Sequence, residues 1–184
     1  MPAERSHTSD ERVRSVVAPV VESAGLHLED VRVARAGSRS TVRVILDLPE
    51  DQVGSLDSDR LGDASRAVSA ALDDADVVRG QYTLEVSTPG VSRPLTEPRH
   101  FRRARTRRVA LDLVDGGTTT ARLVDVVDGP EGEVLVLDDG TQVALSRVRE
   151  GKVEVELKRL EDDEAGSARH GDDDAGSARH GQEG

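Results

Sequence analysis

Three prolines within ten residues, Pro89, Pro94 and Pro98, fix where this chain divides. Proline locks its own φ and pushes the residue before it out of the helical region, so Arg93-Pro94 and Glu97-Pro98 hold the backbone extended. Pro89-Gly90 suits the two central positions of a type II turn, the second of which needs positive φ. A semi-rigid connector is therefore expected, with Pro89, Gly90 and Pro94 as its interdomain hinge. The expected units are 1–92, 93–160 and a tail over 161–184.

Upstream of the connector the hydrophobic period alternates between helix and strand. Thr8-Ser9-Asp10-Glu11 has the S/T-x-x-E form of a capping box, and Val13, Val16, Val17, Val20 and Val21 follow at helical spacing. Gly25 stands where a left-handed cap is wanted, and Pro19 is expected to kink or shorten the helix. Leu26 and Leu28, then after a phase slip Val31 and Val33, predict a bulged strand. Gly37-Ser38-Arg39-Ser40 reads as a turn, and Val42, Val44, Leu46 and Leu48 as a strand with one buried face. Leu61, Ala64, Val68, Ala71 and Leu72 return to helical spacing behind Asp57 or Ser58 as N-cap. Tyr82, Leu84 and Val86 make a third strand, so the order is α-β-β-α-β.

Downstream the chain is β in character. Short alternating segments at 109–114, 121–127, 133–137, 141–145 and 153–157 are separated by Gly116-Gly117, Asp128-Gly129-Pro130 and Asp138-Asp139-Gly140. Five such strands predict a small antiparallel barrel that closes to hide its edges. Beyond them, a ten-residue unit, D-D-E-A-G-S-A-R-H-G, repeats with the single change of Glu164 to Asp174. It holds no large apolar residue, so an acidic, disordered tail is expected.

The net charge of −11 is unevenly spread: −6 over 1–92, +1 over 93–160 and −6 over the tail. Residues 93–108 read R-P-L-T-E-P-R-H-F-R-R-A-R-T-R-R, with seven arginines, Arg93, Arg99, Arg102, Arg103, Arg105, Arg107 and Arg108, against one acid, Glu97. Screening confines a charge's reach to about 8 Å at physiological salt, so this stripe matters more to a partner than the acidic total. Phosphate contact by guanidinium forks is expected of it. Tyr82 and Phe101 are the only aromatic residues, and both read as core rather than as platforms for bases. The chain has no cysteine, its longest apolar runs fall far short of a bilayer span, and its N-terminus lacks the pattern of a signal peptide. A cytoplasmic protein without a membrane partner is expected.

No catalytic constellation emerges. His7, His27, His100, His170 and His180 lack zinc-site spacing, and no phosphate loop, dinucleotide fingerprint or nucleophile elbow occurs. Asp73-Asp74 and Asp138-Asp139 read as solvated carboxylates at a helix end and a hairpin turn. Neither enzymatic activity, a cofactor, a metal nor a small-molecule substrate is expected.

The stretch Y-T-L-E-V-S-T-P-G-V-S-R-P-L from Tyr82 to Leu95, closing with His100-Phe101, resembles the signature of the ribosome maturation factor RimP family. In that family a strand ending in V-S-[ST]-P-G leads into R-P-L and then H-F. The resemblance extends over about 8–158 and leaves out the tail. It implies a KH-like N-terminal α/β domain joined to an SH3-like barrel of the Sm type, an α+β protein overall. It also implies a non-enzymatic factor that binds the free small (30S) ribosomal subunit, ribosomal RNA and a basic ribosomal protein, and promotes its maturation. A monomer is expected. The other readings are a generic RNA-binding module and an adaptor that uses its acidic surface to hold a basic protein.

Overall fold

The computed structural model describes residues 3–37 and 39–156, and the expectations for the tail, with His170 and His180, lie outside them. The first helix, α1 (Ala3–Ser23), begins ahead of Thr8, so Thr8 and Glu11 sit within it rather than capping it. Ala3-Glu4-Arg5 contains good helix formers, and propagation through them overrides the capping pattern. Pro19 does not shorten the helix, which continues to Ser23. It lies on the exposed face, while Val13, Val17 and Val21 are fully buried on the opposite face. The helix ends in a Schellman motif: Gly25 at φ +67° donates to the Glu22 carbonyl at 2.9 Å, and Leu26 to Val21 at 3.1 Å.

The strands β1 (His27–Ala36) and β2 (Arg39–Asp47) form an antiparallel hairpin. Its turn is shorter than expected, because Arg39 and Ser40 already pair with Ala36 and Arg35. Ser38 lies outside the described residues. The expected bulge is present: Leu28 faces Leu46 and Asp30 faces Ile45, which leaves Glu29 as the extra residue. Helix α2 (Ser58–Ala75) is capped by Asp57, whose carboxylate accepts from the Arg60 N–H at 2.8 Å. The strand β3 (Tyr82–Ser87) then pairs parallel to β2, giving a sheet of order β1-β2-β3. Both α1 and α2 cover this sheet, and one buried cluster runs from Val13 to Val78.

The second unit contains an element that sequence periodicity does not predict, the six-residue helix α3 (Pro98–Arg103). Pro98 opens it, where a missing N–H costs nothing. Thr106, at φ +70°, then turns the chain into the second sheet, and its N–H donates to the Leu123 carbonyl at 2.8 Å. That sheet contains β4 (Arg108–Leu113), β5 (Thr118–Gly129), β6 (Gly132–Leu137), β7 (Gln142–Ala144) and β8 (Val148–Val153), in the order β7-β6-β5-β4-β8. Among the described residues no ladder joins β7 to β8, so the sheet does not close into a barrel by hydrogen bonding. A 3-10 turn over Leu145–Arg147 links these strands instead.

The last strand also lies earlier than the alternation at 153–157 predicts, since Val109 pairs with Val153 and β4 begins at Arg108. The ladder therefore has little partner strand left beyond Val153. Leu157 lies outside the described residues. A second buried cluster surrounds Phe101, which is 0% exposed and packs with Leu95, Leu111, Leu123 and Leu135. Phe101 is a core anchor and offers no face to a base. No helix among the described residues is long and apolar enough to cross a membrane.

Two measurements check this packing. Phe101→Ala is expected to cost about 3–5 kcal/mol of unfolding free energy, read by denaturant titration. Tyr82 is half-buried on the first sheet, and its hydroxyl donates to Asp73 Oδ1 at 2.7 Å. Burial first, then the bond to Asp73 and its negative charge, push its phenol up to about 12. As Tyr82 is the only tyrosine, absorbance at 295 nm should show almost no tyrosinate at pH 10.5 (about half a unit above an ordinary phenol), and Asp73→Asn should lower the midpoint.

Candidate nucleic-acid interface

The seven arginines of the connector do not form one solvated stripe. The bulge in β1 turns the Glu29 side chain toward the connector, where it is only 13% exposed. Three groups converge on it. Arg93 Nη1 stands 2.5 Å from Oε1, Arg99 Nη1 donates to Oε2, and His100 Nε2 donates to Oε1 at 2.9 Å. His100 Nδ1 accepts from the backbone N–H groups of Thr96 and Glu97, both at 3.2 Å, which assigns the proton of the neutral ring to Nε2. The imidazole thus caps α3 on one side and binds Glu29 on the other.

A second carboxylate, Asp47 at the end of β2, accepts from Arg103 Nη2 and from the Leu48 N–H, both at 2.8 Å. Arg103 also donates to the carbonyls of Gln52 and Gly54 and is 9% exposed. Arg102 bridges the units: Nη1 reaches both oxygens of Glu50 at 3.2 Å, and Nη2 donates to Glu133 on β6. Arg105 Nη2 donates to the carbonyls of Glu50 and Asp51 at 3.2 and 3.3 Å, and its Nη1 lies 3.6 Å from Asp125 on β5.

Arg93, Arg99, Arg102, Arg103 and Arg105 therefore bind the acidic N-terminal unit to the connector and the second sheet. Arg108 is exposed and pairs with Glu154 at 3.3 Å. Arg107 is exposed and, of the seven, is the one whose side chain has no partner among the described residues.

The hinge residues take a different turn from the one expected. Gly90 does not adopt positive φ, so Pro89-Gly90 is not the centre of a type II turn. Instead the Arg93 N–H donates to the Gly90 carbonyl at 3.0 Å, which places Val91 and Ser92 at the centre. Just past Pro94, Leu95 exchanges two backbone hydrogen bonds with Gly151 of β8, at 2.7 and 2.8 Å. Gly151 has no room for a Cβ, which would meet the Phe101 ring at 2.8 Å. The connector is thereby fixed to the second sheet from Leu95 onward. A cleft of about 200 Å³ lies between the units, with Arg93, Arg103 and Arg107 among its lining residues.

Glu29, Asp47 and Glu50 are the functional groups that sequence reasoning misses. The phase slip at 28–31 marks Glu29 as a bulge residue, but nothing local signals partners some 70 positions away. Burial first, then Arg93, depress the His100 pKa; burial first, then Arg99, depress that of His27. Depressed histidines are bound as neutral rings, so their contribution is complete above the unfolded value of 6.5 and is lost as pH falls below it. The melting temperature should therefore be flat above pH 7 and fall between pH 6.5 and 5. His100→Asn, which keeps an acceptor for the cap but cannot be protonated there, should make that acid limb shallower.

Residues 16–92 match the family model described as the RimP N-terminal domain. The chain is 41% identical over 175 residues to a ribosome maturation factor RimP of Kineococcus radiotolerans, covering 85% of this chain and 84% of that protein. It is 39% identical over 160 residues to a ribosome maturation factor RimP of Frankia casuarinae, covering 79% of this chain and 58% of that longer protein. With a relative of this identity aligned over most of both chains, and with the family model matched over residues 16–92, this chain belongs to the RimP family.

Proposed function

We propose that this chain is a non-enzymatic ribosome assembly factor that binds the free small ribosomal subunit in the cytoplasm, as a monomer, and promotes its maturation. The observation that carries the reading is its similarity, along most of its length, to a protein named for ribosome maturation. In this reading residues 1–92 act as a KH-like domain, and 93–160 as an SH3-like barrel of the Sm type. Pro89, Gly90 and Pro94 set the angle between the two.

The connector arginines divide their work. Arg93, Arg99, Arg102, Arg103 and Arg105 hold the units in one arrangement, and Arg107 and Arg108 face outward to RNA phosphates. Recognition is electrostatic, since Phe101 is buried and Tyr82 is tied to Asp73. The acidic N-terminal unit faces a basic ribosomal protein.

Co-sedimentation of the full chain with free small subunits and with whole ribosomes, across a salt series, tests this. Binding to free small subunits alone is expected, weakening linearly on logarithmic axes as salt rises. Replacing both Arg107 and Arg108 by Gln should lower affinity by about tenfold or more while leaving the fold intact. A folded protein that sediments with neither particle overturns the reading.

A further inference from the structure

At the end of the N-terminal unit far from the connector, three cations meet no acid. Arg12 on α1, Arg35 near the end of β1 and Arg79 between α2 and β3 line one cleft of about 150 Å³. Val13, Val33 and Val78, members of the first buried core, line it beneath them, and no carboxylate is among its lining residues. In a chain with 36 Asp and Glu against 25 Lys and Arg, such a cleft runs against the overall balance.

Other arginines of this unit are engaged: Arg14 and Arg32 pair with Asp30, Arg43 with Glu85 and Arg66 with Asp63. Arg12, Arg35 and Arg79 are exposed, and none has a hydrogen bond or ion pair among the described residues. The nearby acids are put to other uses. Asp10 accepts from the Val33 N–H at 2.7 Å, and Asp73 from the Tyr82 hydroxyl at 2.7 Å. Asp74 and Asp76, at the end of α2, are exposed and do not line the cleft.

The backbones that carry the three arginines are fixed. The Asp10 bond ties α1 to β1 beside the cleft. Val33 and Arg35 share one face of β1, so Arg35 continues the core-facing row past its last buried position. Three guanidinium forks from separate elements suit a tetrahedral phosphate, whose oxygens point in several directions, better than a planar carboxylate with two. About 150 Å³ equals some five waters at about 30 Å³ each, room for a phosphate group and too little to enclose a nucleotide. Glu29, where β1 meets the connector, is six residues from Arg35, about 20 Å along a strand. That is more than twice the reach of a charge at physiological salt, so this cleft acts independently of Arg107 and Arg108.

We propose that the cleft is a second phosphate contact, which receives a backbone phosphate of the small subunit's RNA between Arg12, Arg35 and Arg79. The RNA source rests on the small-subunit reading above. Two contacts at opposite ends of the N-terminal unit fix its direction along an RNA backbone, which one contact cannot do.

The test uses the ¹⁵N-labelled full chain titrated with inorganic phosphate, dimethyl phosphate and, separately, acetate at constant ionic strength. Saturable shifts at the Nε–H groups of Arg12, Arg35 and Arg79 and the amides of Val78 and Arg79 are expected with both phosphates. Arg35→Gln should weaken them at least fivefold. Arg39→Gln, the same charge change on the opposite face of the sheet, should not, and equal weakening by both overturns the site in favour of a general charge effect. Absence of saturable shifts overturns the contact, and equal binding of acetate overturns its selectivity for phosphate. Shifts with inorganic phosphate but not with the diester assign the cleft to the free ion and overturn the RNA source. In co-sedimentation with free small subunits, replacing Arg12, Arg35 and Arg79 together by Gln should lower the salt slope by about 0.7–0.9, the loss of one phosphate contact. If the wild type sediments and this variant matches it in affinity and slope, the RNA source alone falls. If the wild type fails to sediment, the RNA source falls together with the small-subunit reading, and the titration still decides the phosphate site.

Discussion

One carboxylate holds the two halves of this molecule in register. Glu29 is taken by Arg93, Arg99 and His100, all from the connector, and it can meet them because a β-bulge adds one residue to β1 and redirects its side chain. Much else follows from that contact. His100 can cap α3 only while its ring is neutral, and the bond to Glu29 fixes which nitrogen carries the proton. With α3 in place, Phe101 enters the second core and Arg103 lies over Asp47. The interface between the units is polar because both faces carry charge already matched in sequence, an acidic N-terminal unit and an arginine-rich connector. Charges buried this way add little net stability, but removing one partner strands the other in a poor solvent, so such a network selects one arrangement over many.

This use of arginine separates local charge density from availability. A stripe of seven arginines suggests a single patch for nucleic acid, yet most of its donors are consumed inside the molecule. Guanidinium groups suit that internal role because each presents a planar fork that can reach a carboxylate and a carbonyl at once, as Arg103 does with Asp47, Gln52 and Gly54. What remains for a partner is decided by a few groups at the margin.

The parts of the structure that were legible in the sequence are those set by local periodicity. The slip from Leu28 to Val31 announced the bulge, Gly25 announced the Schellman cap, and the alternation from Val42 to Leu48 announced a half-buried strand. Pro98 could be read two ways, as the end of an extended run or as the first residue of a helix, and the helix wins because His100 and Glu97 close its end. The alternation at 153–157 was misleading because a strand needs a neighbour as well as a pattern, and β4 begins only at Arg108. The carboxylates that organise the interface left no local mark, since their partners lie more than fifty positions away on the connector.

The backbone pairing of Leu95 with Gly151 has a consequence for how the second sheet stays solitary. Its strand order leaves β7 and β8 as edges. An uncovered strand edge is a template on which another chain can add itself, and closing a barrel is the usual way to remove it. Here β7 offers only three residues, and on β8 the linker already occupies the edge at Gly151, which pairs with Leu95. The segment that connects the two units thus also covers part of that edge, at the one position where its backbone pairs with β8. A cut in the chain ahead of Leu95 would therefore cost more than the tether between units, because it would loosen the cover on that edge.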